Sequence, residues 1–168
     1  MPDISSLRSK RLSGLRPDTG KQYVVFRLRL GWFILPIEAI YRVIPLEKHI
    51  PTVTFAGKPL PIVDLGKLLF GKNKTQLNQF PQLIINGALV ASKPSLIIVR
   101  GQTDKLVGVL SNSQPALQRI AADQLVSLPP TYSQHWKVDF IDSMTLPSEQ
   151  RISLFSIDRD RLIAKLLG

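Results

Sequence analysis

The sequence predicts an all-β fold with only short helices, and three features carry that reading. Val24, Phe26, Leu28 and Leu30 alternate with Arg27 and Arg29, the period-two signature of a strand with one buried face. Thirteen prolines, four of them at Pro45, Pro51, Pro59 and Pro61, leave room for short strands, edge positions and bends but not for long helices. Finally, two strand-like runs each end in Asp, with a basic residue and Leu at the third and fourth positions after it. They are PIVDLGKLLFG, from Pro61 to Gly71, and LFSIDRDRLIAKLLG, from Leu154 to Gly168.

Each of those runs reads as strand, cap, short helix. Asp64 and Asp158 can accept a bond from an orphan N–H at a helix start, and Lys67 and Arg161 follow along the helix dipole. Upstream, QYVVFRLRLGWFILPIEAIYRVI and SLIIVRGQTDKLVGVLSNSQPALQRI both read strand, turn, strand and a short apolar segment. The pattern suggests a duplication with a seam between halves, and such seams form natural grooves for a partner.

Residues 1–20 are rich in Ser, Arg and Gly without a sustained period, so they are expected to be a mobile basic tail. The ordered domain is expected over 21–168, with a first half over about 21–75 and a second over about 95–168. Gly31 should turn the first strand into Trp32–Leu35. Beyond Pro36, Ile37, Ile40 and Ile44 fit one helical face for a turn or two, and a strand from Tyr41 fits equally well. Residues 71–94 read as a linker, with Asn86-Gly87 suited to a type I′ hairpin turn. Leu96–Val99 and Leu106–Leu110 are two apolar strands joined by GQTDK. Lys137–Met144 and Arg151–Ile157 flank a turn region at Leu146-Pro147-Ser148, and Leu162, Ile163, Leu166 and Leu167 stripe a closing helix.

Composition narrows the function classes. A chain of 168 residues fits one domain or two small subdomains. No run approaches the roughly 18 apolar residues that span a bilayer, and the N-terminus lacks the apolar stretch of a secretory signal, so a soluble, cytoplasmic protein is expected. There is no Cys, and His49 and His135 lack acidic partners in ligand spacing, which argues against zinc and thiolate chemistry. No cofactor is expected. The net charge is +10, with 13 Lys and Arg against 5 Asp and Glu in residues 1–92 and 9 against 7 in residues 93–168. A field of that sign steers acidic partners, anionic lipid or nucleic acid.

Enzyme motifs fail on inspection. Gly66-x-x-x-x-Gly71-Lys72-Asn73 approaches a phosphate-binding loop, but Asn73 stands where a magnesium-ligating hydroxyl is needed and the interior is a helix stripe. Neither His sits near a nucleophile motif, and Glu38 and Glu47 read as solvated acids. Nucleic-acid binding is the stronger rival: Arg8, Lys10, Arg11, Arg16, Arg27, Arg29 and Lys72 could meet phosphates. Trp32, Phe33 and Tyr23, however, lie in strand patterns that core packing explains.

Three stretches resemble the CheW-like coupling proteins of bacterial chemotaxis. FILPIEAIYRVIPLEKHIP (Phe33–Pro51) is similar to the family's apolar-Leu-Pro opening followed by Val-x-x-Val. GKPLPIVDLGKLLFG (Gly57–Gly71) resembles its Gly-x-x-x-Pro-Val-x-Asp-Leu signature, and KLVGVLSNSQPALQRIAADQL (Lys105–Leu125) its Val-Gly-Leu-x-Val-Asp-x-Val segment. The resemblance implies two small five-stranded β-barrel subdomains packed together. It also implies a non-catalytic adaptor, monomeric alone and assembled in a signalling complex. Such an adaptor would link a chemoreceptor cytoplasmic tip, or a photoreceptor-type sensor, to the regulatory domain of a chemotaxis histidine kinase in motility control.

On that resemblance, partner contacts are expected at Ile37, Ile40, Arg42 and Val43, at the Phe55-Ala56-Gly57 bend, and at barrel-edge positions near Val107 and Leu110. Three residues depart from the family pattern: Arg42 stands where Glu is common, Ala56 where Arg is expected, and Asn112 where Asp is usual. The connector from Pro51 to Gly57 is also short. The competing expectation is a basic β-barrel that binds nucleic acid or another anionic surface through residues 1–92.

Overall fold

The structure, a computed structural model, describes residues 20–47, 53–55, 57–71, 82–136, 138–146 and 152–167. The expected tail over 1–20, apart from Gly20, lies outside the described residues, as do Lys137 and the Pro147-Ser148 turn. In chain order come β1 (Lys21–Leu28), β2 (Gly31–Pro36), a 3-10 turn (Ile37–Ala39), β3 (Ile40–Pro45), β4 (Thr54–Phe55), β5 (Lys58–Pro59), β6 (Ile62–Val63) and α1 (Leu65–Phe70). Next are β7 (Ile84–Ile85), β8 (Ala88–Leu89), β9 (Ser95–Arg100), β10 (Leu106–Ser111), β11 (Ala116–Ile120) and β12 (Leu125–Ser127). The chain closes with α2 (Pro130–Trp136), β13 (Ile141–Thr145), β14 (Leu154–Ile157) and α3 (Arg159–Leu167).

The fold is all-β with short helices, as its sequence predicts. Six strands form one sheet in the order β11-β1-β2-β14-β13-β12, and four form a second in the order β3-β9-β10-β6. Two curled sheets thus answer to the expected pair of small barrels, with their strands divided six and four. Both sheets mix strands from the two sequence halves. β14 runs parallel to β2, β6 runs parallel to β10, and β3 pairs antiparallel with β9.

Side-chain alternation places three hydrophobic clusters on the faces of these sheets. Val24, Phe26, Leu28, Phe33 and Leu35 from the first sheet meet Ile97, Val99, Val107 and Val109 from the second in the main core. On the outer face of the first sheet Tyr23, Val25, Trp32 and Ile34 pack under Leu83 and Ile85 of the β7–β8 hairpin. On the outer face of the second, Leu96, Ile98 and Leu106 pack with Leu60. Strands buried on both faces need near-continuous apolar runs, and YVVF, WFIL and LIIV supply them.

Both Asp caps are present. Asp64 Oδ1 accepts the Lys67 N–H at 2.9 Å, and Asp158 Oδ1 accepts the N–H groups of Asp160 and Arg161 at 3.0 and 3.1 Å. Gly66 therefore lies inside a helix and not in a phosphate loop, with Gly71 at φ +78° ending that helix. The β7–β8 turn has Asn86 at φ 54° and Gly87 at φ 82°, the two positive values a type I′ turn requires.

The first hairpin corrects the sequence reading. Leu28 pairs with Gly31, so Arg29 and Leu30 make the turn, with Arg29 at φ 55°, and Gly31 begins β2. A Cβ at Gly31 would come within 2.9 Å of the Phe33 ring. Beyond Pro36, the ambiguous segment resolves into one 3-10 turn and then a strand, with a register shift between Ile40 and Arg42.

Candidate partner-binding surface

β3 is an end strand of the four-stranded sheet, which gives the segment from Ile37 to Pro45 one open edge among the described residues. Its pairing with β9 sets the direction of each side chain. Ile40 lies opposite Val99 and Val43 opposite Ile97, both on the main-core side, whereas Arg42 and Ile44 lie opposite Ile98 and Leu96 on the outer side. Ile40 packs on the main core and is half-buried, while Ile37, Tyr41, Arg42 and Val43 are exposed. The Arg100 guanidinium carbon sits 5.7 Å from the centroid of the Tyr41 ring. Arg159 Nη1 donates to the carbonyls of Glu38 at 3.1 Å and Arg100 at 3.4 Å, which ties α3 to the start of this surface.

The other expected positions divide. Gly57 is exposed at φ +78° in the β4–β5 turn, Phe55 contributes its backbone to β4, and Ala56 lies outside the described residues. The hairpin is held to the outer side of the second sheet, since Leu60 N–H donates to the Val53 carbonyl at 2.7 Å and Val53 packs against the cluster of Leu60, Leu96, Ile98 and Leu106. Val107 is fully buried in the main core, and β10 runs between β9 and β6, so the expected barrel-edge placement is corrected. Leu110 is half-buried against the outer cluster, opposite Leu96. Ile37, Ile40, Arg42 and Val43 thus share one edge, and Leu110 is separated from it by β9.

A groove of about 540 Å³ that the sequence reading missed opens at the end of β3, walled by Val43, Pro45, Leu46, Lys93 and Pro94. Pro45 and Pro94 are its legible signals, because neither has an N–H to donate where the β3–β9 pairing runs out.

Of the basic residues offered to phosphates, Arg8, Lys10, Arg11, Arg16 and Lys72 lie outside the described residues, and the other two are placed away from solvent. Arg27 and Arg29 are 6% and 9% exposed, too buried to contact a backbone in solution. Arg27 donates to the carbonyls of Arg29 at 2.7 Å and Asn112 at 3.1 Å, and burial pulls its pKa below the ordinary value. Asn112 Oδ1 accepts the Arg29 N–H at 2.6 Å, and Ser113 Oγ accepts the Arg27 N–H at 3.0 Å. This polar seam locks the first hairpin to the end of β10. Tyr23, Trp32 and Phe33 are buried as well, which leaves them unavailable as a stacking platform for bases.

The CheW-like domain model matches residues 22–165. This chain belongs to the CheW-like domain family. Among solved structures it is similar to the scaffolding protein TtCheW from Thermoanaerobacter tengcongensis, with 18% sequence identity and a TM-score of 0.58. The match covers 84% of this chain and 86% of that one, and at that identity it speaks for the fold. Comparison with curated proteins gives no match. Among the described residues no helix is long and apolar enough to cross a membrane.

Proposed function

We propose that this CheW-like chain is a non-catalytic adaptor in chemotaxis-type signalling. It joins a chemoreceptor tip, or a photoreceptor-type sensor, to the regulatory domain of a histidine kinase that controls motility, in the cytoplasm. Family membership across residues 22–165 supports the scaffold role, and the exposed edge of β3 is the observation that carries the docking site. Ile37, Ile40 and Val43 supply apolar area and Arg42 a charged rim, a division common at protein interfaces. The Gly57 turn and Leu110 lie on the outer side of the same sheet and form a second, smaller contact region.

The test is calorimetric titration of the chain with a purified chemotaxis-kinase regulatory domain, beside single-stranded RNA and duplex DNA. A saturable complex with the kinase domain at physiological salt is expected. Binding to nucleic acid alone, with the steep salt dependence of phosphate contacts, would overturn the adaptor reading.

A further inference from the structure

The β7–β8 hairpin and β11 enclose a second surface, separate from the β3 edge. The segments that follow β8 and precede β11 are joined where Gln114 N–H donates to the Ala91 carbonyl at 2.8 Å. From that bond the hairpin and β11 enclose an open cleft of about 320 Å³, with Ala88 and Leu89 on one wall and Ala116 and Leu117 on the other. Leu89 and Leu117 are 57% and 46% exposed, and Ile84, directly opposite Leu89 in the hairpin, is 52% exposed. Two of these exposed aliphatics, Leu89 and Leu117, line the cleft itself.

Two further observations describe what fits. β11 ends the six-stranded sheet and pairs on one side only, with β1, among the described residues. Among the described residues the buried Gln118 Oε1 has no donor, although Gln118 lines the adjoining cavity of about 490 Å³ with Asn86 and Arg119. A free strand edge beside apolar pockets takes an extended segment, held by main-chain bonds and selected by alternate side chains. Pro115 has no N–H, so such pairing begins at Ala116.

Charge selects among possible occupants. β1, β7, β8, β11 and the segments joining β8 to β9 and β10 to β11 hold no Asp or Glu, whereas Lys21, Lys93 and Arg119 are exposed around them. A second copy docked edge to edge would bring Arg119 and Lys21 against their own like charges, and residues 1–19 carry Arg8, Lys10, Arg11 and Arg16 against only Asp3 and Asp18, a net positive segment. Both are repelled where an acidic segment is attracted. We infer that this cleft docks an extended segment of a partner protein, with aliphatic anchors for Leu89 and Leu117 and flanking carboxylates for Lys21, Lys93 and Arg119. This surface stands independently of the β3 reading, and its test leaves the kinase titration untouched.

The experiment follows amide chemical shifts of the full chain as a synthetic peptide is added. Its centre is Leu-Thr-Ile-Val, flanked at both ends by Glu-Glu, and a control carries Lys-Lys instead. The acidic peptide should shift the amides of Ala88, Leu89 and Ala116–Gln118 and bind more tightly at low salt. Leu117→Asp and Arg119→Glu should each weaken it about tenfold without lowering the melting temperature. Equal binding by the basic peptide, or no shift at these amides, overturns the proposal. So does concentration-dependent self-association that Leu117→Asp abolishes, which would assign the cleft to a second copy. A shift of the same amides on deleting residues 1–19, before any peptide is added, would assign it to the chain's own N-terminus and overturn it too.

Discussion

Arg29 Nη2 lies 3.5 Å from Asp64 Oδ2, while the other oxygen of that carboxylate caps α1. One side chain therefore holds both the first hairpin turn and the helix of the Pro-Ile-Val-Asp-Leu stretch. The Arg29 side chain is 11% exposed and Asp64 41%, so the carboxylate is screened and the guanidinium is the group left stranded if the pair is broken.

That asymmetry separates the two Asp repeats. Asp158→Ala should cost about 0.5–2 kcal/mol, the usual range for a lost N-cap. Its ion pair with Arg161, 3.8 Å away and 57% exposed, adds little. Asp64→Ala should cost about 2–3 kcal/mol, because a largely buried guanidinium loses its counter-charge as well. Asp64→Asn, which keeps an acceptor for the Lys67 N–H, should fall between wild type and Asp64→Ala. Urea midpoints of the three variants decide it, and equal losses at positions 64 and 158 would show the Arg29 pair to be inert.

Gly66 gives a prediction of unexpected sign. Ala in place of Gly inside a helix normally stabilises by up to about 1 kcal/mol. Here a Cβ at position 66 would lie 2.6 Å from Arg29 Cγ, so Gly66→Ala should destabilise by about 1–3 kcal/mol. In an Arg29→Ala background the same change should become neutral or favourable, a coupling that a double-mutant cycle reads directly. Additive losses would mean that Arg29 does not lie across the helix.

These contacts also mark where the sequence was legible. Both caps, the Asn86-Gly87 turn, the apolar strands β9 and β10 and the closing helix follow from local rules, since each is decided within a few residues. Arg27 and Arg29 were misread because alternation suggests a solvated face, whereas β1 lies inside a six-stranded sheet with the β7–β8 hairpin over its outer side. Their partners Asn112 and Ser113 are more than 80 residues away, beyond any periodicity. The helix Pro130–Trp136 was missed although Pro130 stands at its first position, a placement proline favours. It matters because Trp136 packs on Phe155 with ring centroids 4.9 Å apart and on Phe33 at 5.9 Å. Val107 looked like an edge residue because sequence alone does not tell which strands flank β10.

Tyr23 makes stability depend on alkaline pH. Burial raises its pKa, and the Glu38 and Asp142 carboxylates raise it further. The folded-state value then exceeds the unfolded value of about 10, so the stability linked to neutral Tyr23 is complete below about pH 10. It is lost as pH rises through the folded-state value. Urea midpoints between pH 8 and 11 should fall less steeply for Tyr23→Phe than for the native chain. Parallel curves would show that Tyr23 ionises as readily in the folded state as in the unfolded one.

Arg42 tests the β3 surface, and the expectation comes from its sign as well as its position. Its neighbours on the strand, Tyr41 and Val43, are exposed, and its backbone pairs with Ile98 in the body of the sheet. Reversing the charge should therefore leave the fold alone, with Arg42→Glu changing stability by no more than about 0.5 kcal/mol. If the proposed docking surface is right, a partner adapted to this chain should present negative charge at that point, where the family pattern has Glu on the adaptor itself. Arg42→Glu should slow association with the kinase regulatory domain by roughly an order of magnitude at low salt, and by less as salt screens the pair. If docking desolvates the contact, dissociation should also quicken, for a total loss of about 2–5 kcal/mol. Stopped-flow association rates at two ionic strengths, with a melting curve for each protein, separate these outcomes. Unchanged rates with both kinase and receptor, in a variant that melts normally, would remove Arg42 from the docking surface and leave Ile37, Ile40 and Val43 to carry it.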